Sequence, residues 1–399
     1  MERNKGITLI ALIITIIILL ILVGVSINLA IKGDLFGSAE KAVSGTNDKT
    51  AQEQTRVDEL MGELGRVEEQ QRQDNLPGTR VTENTKYVSN GKTAWIPKGF
   101  TVSGIKSEQS IDNGLVIYDI PEGTTPDWSN PDSVKTKYNQ FVWIPVEVKS
   151  SDTENSIASF YRSAWTVNVS TGGDRTTGLS TSYTEPNSTN DTADKTGIAG
   201  QITELTKSIY KYGGFYIGRY EAGSKTERTS SSSQTAEFVV QQDKYPYNYV
   251  KWGKSMSDVS EGAVYLCNNL YTPTNTNYGA TSMLCTGATW DSMLDFIKDS
   301  SHSVTNSTTW GNYNNSETYT INRGKYAVLS SGTLGNFQDV VNEYSKEKSK
   351  SILLTTGTTE RNSSKNIYDI AGNVYEWTTE SYSSSSRAFR GRHLRLQWF

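Results

Sequence analysis

Residues Ile7 to Ile31 are 25 consecutive positions without a charge. As a helix rising about 1.5 Å per residue they outspan the roughly 30 Å hydrocarbon core of a bilayer. A cleaved secretory signal needs only about 7–15 apolar residues, so the run predicts a membrane-spanning helix. Arg3 and Lys5 precede it, which by the positive-inside rule puts the N-terminus in the cytoplasm and everything after Lys32 outside. Any fold for the remainder must therefore be one that works as a single-pass, extracellular body.

Lys5-Gly6-Ile7-Thr8-Leu9-Ile10 resembles the leader of type IV pilins, which a peptidase cuts after the glycine. Pilins carry Glu at the fifth mature position, where this chain has Ala11, so the resemblance implies a membrane anchor at least as readily as a filament subunit. Gly37 to Gln73 reads as a helix. Val57, Leu60, Met61, Leu64 and Val67 recur at three- and four-residue intervals over a Glu, Gln and Arg face. That stripe is narrow. It is either a seam for self-association or a stalk lying on a globular domain, and Pro77-Gly78 closes it.

Beyond Thr82 the chain turns to short apolar runs between turn residues: 92–97, 114–118, 139–146 and 213–222. A Ser/Thr/Asn/Asp-rich insertion covers about 150–200. Ser260–Leu270 and the segment from Thr286 through Ile297 read as helices, the second capped by the Thr286 hydroxyl. Trp290, Leu294 and Ile297 fall on its inner face. The expected organisation is 1–36 leader and membrane helix, 37–78 amphipathic stalk, and 79–399 a single α+β domain with long polar loops.

Composition narrows the function. The formal charge is −4 and no segment builds a basic face, which excludes nucleic acid as a partner. With two histidines and two cysteines, a zinc or copper site built from such residues is excluded as well. Cys267 and Cys285 read as separate buried thiols, or as a pair if oxidised outside the cell. The 22 tyrosines amid Ser, Asn and Gly suit a binding surface, because Tyr adds contact area at small entropic cost.

Asn366-Ile-Tyr-Asp-Ile-Ala-Gly-Asn-Val-Tyr-Glu-Trp377 sets carboxylates at Asp369 and Glu376 around a glycine turn, a set of hard oxygen donors that suits calcium. By spacing alone it reads first as a surface turn entering a strand, with Trp377 in the core. The stretch resembles the Gly-Asn-Val-Trp-Glu-Trp signature of the formylglycine-generating enzyme (sulfatase-modifying factor) family. That family has a C-type-lectin-like fold, shared by the variable proteins of diversity-generating retroelements. Tyr375 stands where the family has Trp. Asn139–Val146, Gly213–Ala222, Tyr245–Trp252, Tyr278–Asp291 and Ser386–Gly391 resemble further family elements in the family's order. The resemblance implies a structural calcium held by the Asp369 side chain, the Gly372 and Val374 carbonyls and the Glu376 side chain. Glu221, in the second of these elements, is expected as a salt-bridged strand-end carboxylate.

The C-terminus departs from the family. After Gly391 the chain reads Arg-His-Leu-Arg-Leu-Gln-Trp-Phe399, where the family continues to a closing strand, so the domain reads as C-terminally truncated. A one-base shift of a suitable coding of Gly391–Phe399 gives Gly-Gly-Ile-Tyr-Asp-Tyr-Ser-Gly, which fits the family. The family's copper-binding catalytic cysteine pair lies in that missing tail. The resemblance therefore implies a non-catalytic, membrane-anchored surface protein that binds a protein or glycan ligand. Tyr382, Ser384, Ser386, Arg387 and Arg390 are the expected ligand-facing residues, in the region that retroelement variable proteins diversify. The competing readings are an oxidase of the formylglycine-generating type and a pilin-like structural subunit.

Overall fold

The computed structural model describes residues 39–178, 183–186, 196–383 and 386–391. The membrane-spanning run 7–31, Ser384 and the tail 392–399 lie outside the described residues. Among the described residues no helix is long and apolar enough to cross a membrane. The chain divides into two compact units, Met1–Gln71 and Arg72–Phe399.

Helix α1 (Ala39–Asp74) accounts for the described part of the first unit. In it Leu60, Met61 and Val67 are exposed, and exposed Glu63 and Arg66 pair along the helix. Within the second unit Gln73 donates to the Lys86 carbonyl and accepts from the Val88 amide.

That unit is an α+β body. Its first strands are β1 (Thr85–Ser89), β2 (Lys92–Ile96), β3 (Thr101–Val102) and β4 (Val116–Tyr118). A short helix α2 (Pro131–Lys135) leads to β5 (Gln140–Pro145). The insertion carries the hairpin β6 (Ser163–Thr166) and β7 (Asp174–Thr177). Helix α3 (Ile198–Tyr212) then runs through Gly213 into β8 (Gly214–Gly218). The pair β9 (Gly223–Ser224) and β10 (Tyr245–Pro246) is followed by α4 (Gly262–Leu270) and α5 (Gly287–Ile297). The last third is built of strands: β11 (Tyr319–Ile321), β12 (Lys325–Ser330), β13 (Thr333–Leu334), β14 (Gln338–Asp339), β15 (Tyr344–Lys346) and β16 (Ser351–Leu354). These are followed by β17 (Ser363–Ser364), β18 (Ile367–Tyr368), β19 (Glu376–Ser383) and β20 (Ser386–Arg390).

The central sheet has the order β3-β4-β5-β8, antiparallel throughout. Both of its faces are buried, which is why its strands read as unbroken apolar runs. Val116, Tyr118, Val142 and Ile144 point into one core with Trp290, Met293 and Ile297 of α5. Leu115, Ile117 and Trp143 point into a second with Ala94, Ile96 and Phe100. This is the period-two alternation of a pleated strand, applied to two hydrophobic clusters at once. Thr286 caps α5 in a reciprocal box, its hydroxyl accepting from the Thr289 amide at 3.0 Å while the Thr289 hydroxyl accepts from the Thr286 amide at 2.8 Å.

An ion network pins the sheet from within. Arg219, just past β8, pairs with Glu108 at 2.8 Å, each side chain 1% exposed. The guanidinium also donates to the Tyr118 hydroxyl (3.2 Å), Gln140 Oε1 (3.1 Å) and Asn366 Oδ1 (3.4 Å). It lies 5.5 Å from the centroids of both the Tyr220 and Tyr368 rings. Ser103 and Tyr118 donate to Glu108, and Lys135 stands 3.1 Å from it. Burial pushes the Glu108 carboxyl up, but Arg219 and Lys135 outweigh it and hold the group below its ordinary range.

Candidate cation site and aromatic face

The turn between β18 and β19 is held in left-handed backbone at Asp369, Gly372 and Asn373, with φ of 65°, 93° and 63°. Only glycine adopts the middle one without strain. A Cβ at Gly372 would stand 2.1 Å from the Asn312 carbonyl oxygen, because this turn lies against residue 312 in a parallel bridge. Asn312 takes the Ala371 carbonyl and gives its own to the Asn373 amide. Gly372→Ala is thus expected to cost about 2 kcal/mol or more and to lower the thermal midpoint, since strain and collision add.

The turn gathers acid. Asp369 is buried, and its Oδ2 accepts from the Gly357 amide at 2.7 Å. Glu376 is half-buried, and its Oε2 is buried with no hydrogen-bond partner. Glu221, 4% exposed, accepts from the Asn373 side-chain amide, and its Oε2 is likewise without a partner. The salt bridge expected for Glu221 is absent among the described residues. The strand end instead turns its carboxylate inward toward two others.

Burial pushes the Asp369 carboxyl up to about 7. It pushes Glu376 up to about 8, with the Asp369 charge adding to the rise. Glu221 is raised well above its ordinary value by burial first and then by its two acidic neighbours. Three carboxylates that repel one another, two of them with unused buried oxygens, are short of a positive charge.

Main-chain oxygens complete the set. Among the described residues neither the Gly372 nor the Val374 carbonyl accepts a hydrogen bond. No group of three or more His, Cys, Asp or Glu among the described residues is placed to hold a metal by side chains alone. The expected donors are of another composition, two carboxylates and two carbonyls. That hard-oxygen set fits calcium, and the buried unpartnered Glu376 Oε2 is the feature that an ion would satisfy.

Beyond the turn, β19 and β20 form a ribbon, with Glu376 opposite Arg390 and Trp377 opposite Phe389. Its residues divide by role. Tyr382 is 58% exposed and Ser386 faces solvent. Arg387 lies 4.0 Å over the Trp252 ring and donates to the Met256 carbonyl. Arg390 is held by Glu380 through two 2.7 Å contacts. Glu380 is fully buried and is also paired with Arg162 at 2.5 Å. Both arginines expected to face a ligand therefore have internal partners, and the outward surface is aromatic. Tyr375 and Phe389, 39% and 47% exposed, contact each other with centroids 4.3 Å apart, and Tyr183 lies 5.4 Å from Tyr382.

The insertion docks on this ribbon through Thr184, which bridges Ser381, and Glu185, which accepts from the Gly287 amide and the Thr379 hydroxyl. Sequence reading missed that contact and the Glu380 cluster, because both join segments about 100–200 residues apart. The two cysteines are free thiols. Burial pushes Cys267 up to about 12 and Cys285 higher still, so neither is held as a reactive thiolate.

Comparison with family models, with curated proteins and with solved structures finds no match to this chain.

Proposed function

We propose that this chain is a non-catalytic binding protein displayed at a cell surface. In this reading the apolar run 7–31 anchors it in the membrane. A calcium ion on Asp369, Gly372, Val374 and Glu376 fixes the turn from which the β19–β20 ribbon springs. The fold would be the C-type-lectin-like one of the formylglycine-generating enzyme family, and the ligand a protein or a glycan. The observation that carries the reading is the aromatic face. Two aromatic pairs stand exposed on and beside one ribbon, Tyr375 with Phe389 next to the acidic turn and Tyr183 with Tyr382 farther along it. Exposed tyrosines that cluster this way are what binding surfaces use for contact area. The two buried, unactivated thiols give no support to the oxidase alternative.

The test is an array of glycans and purified surface proteins probed with wild type and with Tyr382→Ala. Tyr382 is mostly exposed, so stability should change by no more than about 0.5 kcal/mol. Affinity for any probe bound should fall about tenfold or more. Unchanged affinity in Tyr382→Ala and Phe389→Ala would remove the aromatic face from the account. Retroelement diversification has its own check: a reverse transcriptase gene and a template repeat matching the 3′ end should lie beside the coding sequence.

A further inference from the structure

One edge of the central sheet is open. The Trp143 amide donates to the Leu115 carbonyl, toward β4, and the Val146 amide donates to the Gly213 carbonyl. With Val142 opposite Ile217 and Ile144 opposite Phe215, ladder alternation assigns the odd residues of β8 to β5. The N–H and C=O groups of Gly214, Tyr216 and Gly218 therefore face away from the sheet. Among the described residues no backbone or side-chain group bonds to them. An unpaired edge of this kind is a template for another strand.

The edge borders a groove of about 1080 Å³ lined by all five residues of β8. Its walls include Trp143, Leu266, Tyr271 and Leu284, and along α3 it passes Gly200, beside which a Cβ would meet nothing within 4 Å. Four polar atoms in the lining lack a partner: Glu221 Oε2 and Glu376 Oε2 of the acidic turn, and two more. Trp143, 2% exposed, has no acceptor for its Nε1, and Asn268 has no donor for its Oδ1. A purely apolar occupant would leave both unpaired, at a cost that buried polar groups seldom bear. A peptide carries donors and acceptors along with apolar side chains.

We propose that this groove accepts an added strand beside β8, and that the strand is the chain's own segment 392–399. Gly391, the last described residue, already stands at the groove. A Cβ there would lie 3.7 Å from the Ile370 and Val374 carbonyls and 4.0 Å from the Trp290 ring, and all three residues line it. The following sequence alternates apolar and polar residues, with Leu394, Leu396 and Trp398 on one side of Arg395 and Gln397. That is the pattern of a half-buried strand. Eight residues extend about 26 Å, against about 16 Å for the five of β8. Tethering supplies the strand at about millimolar effective concentration, so one offered by another molecule has to compete with it.

Hydrogen exchange on the full chain tests this. The Tyr216 and Gly218 amides should exchange at least about tenfold faster in the variant carrying Leu394→Ser, Leu396→Ser and Trp398→Ser than in wild type, while the Phe215 and Ile217 amides stay protected by β5. A Tyr216 amide that exchanges freely in wild type overturns the proposal. So does one equally protected in both proteins, which would point to another occupant. Should the triple variant unfold, a photo-crosslinker at position 396 of the otherwise native chain decides. Crosslinks to residues 214–218 or 263–285 of the same molecule support the proposal, and crosslinks elsewhere, or only between molecules, contradict it.

Discussion

Arg219→Ala should destabilise the second unit by about 3–5 kcal/mol, enough to unfold a domain of ordinary stability at 37 °C. Buried ion pairs are asymmetric: removing one partner leaves the other charge away from water and uncompensated. With the guanidinium gone, Glu108 is left 1% exposed, with Lys135 as its only remaining cation among the described residues, while the Gln140 oxygen loses a donor. The rings of Tyr220 and Tyr368, each with its centroid 5.5 Å from the guanidinium, lose a packing neighbour too. Replacing both partners tells a different story. Arg219→Met with Glu108→Leu removes charge and counter-charge together and should recover most of the loss, because a well-packed apolar pair can match a buried ionic one. Urea titrations of the two single variants and the double variant measure the coupling, which should exceed about 2 kcal/mol. The pair also sets an acid limit. Glu108 is held below its ordinary pKa, so its contribution is present above about pH 4.5 and is lost as pH falls through the folded value.

Without calcium, stability should fall as pH rises from about 4 to about 8. Asp369 and Glu376 show the opposite shift from Glu108, up to about 7 and about 8. In the unfolded chain both ionise near pH 4. In the folded chain they hold their protons to neutral pH, so the folded state binds more protons across the interval and loses ground as pH climbs. The expected loss is on the order of a few kcal/mol, and it levels off above the folded values. Glu221 adds to it in the same direction. Calcium should abolish this slope, because the ion binds the ionised carboxylates that the cation-free fold resists forming. At a thousandfold excess over its Kd it adds about 4 kcal/mol. Glu185, raised to about 7 by burial and the nearby Glu380 charge, titrates in the same window. It is part of no expected ligand set, so the difference between calcium and chelator isolates the acidic turn.

How much of this was legible before the structure depended on range. The helices from Ser260 and Thr286 were readable from caps and periodicity, and so were the apolar runs of β2, β4, β5 and β8, since each is decided within ten residues or so. β4, β5 and β8 read as continuous rather than alternating because both faces of the central sheet are buried. The carboxylates Asp369 and Glu376 were visible as a local motif. Glu221 was misread because its partners are Asn373 and two carboxylates about 150 residues downstream, and nothing near it in sequence distinguishes an inward carboxylate from a salt-bridged one. Arg390 looked available for a ligand because its partner Glu380 lies across the ribbon, a pairing fixed by register rather than by sequence neighbourhood. The open edge of β8 could not be read at all. It follows from which strand is absent beside it, and one-dimensional pattern does not report that.

The most direct measurement is the thermal midpoint of the full chain at pH 8 in millimolar calcium and in chelator, beside the same pair for Glu376→Gln. The account predicts a midpoint several degrees higher with calcium in wild type and little or no response in Glu376→Gln. A wild-type midpoint that is the same in calcium and in chelator would contradict it.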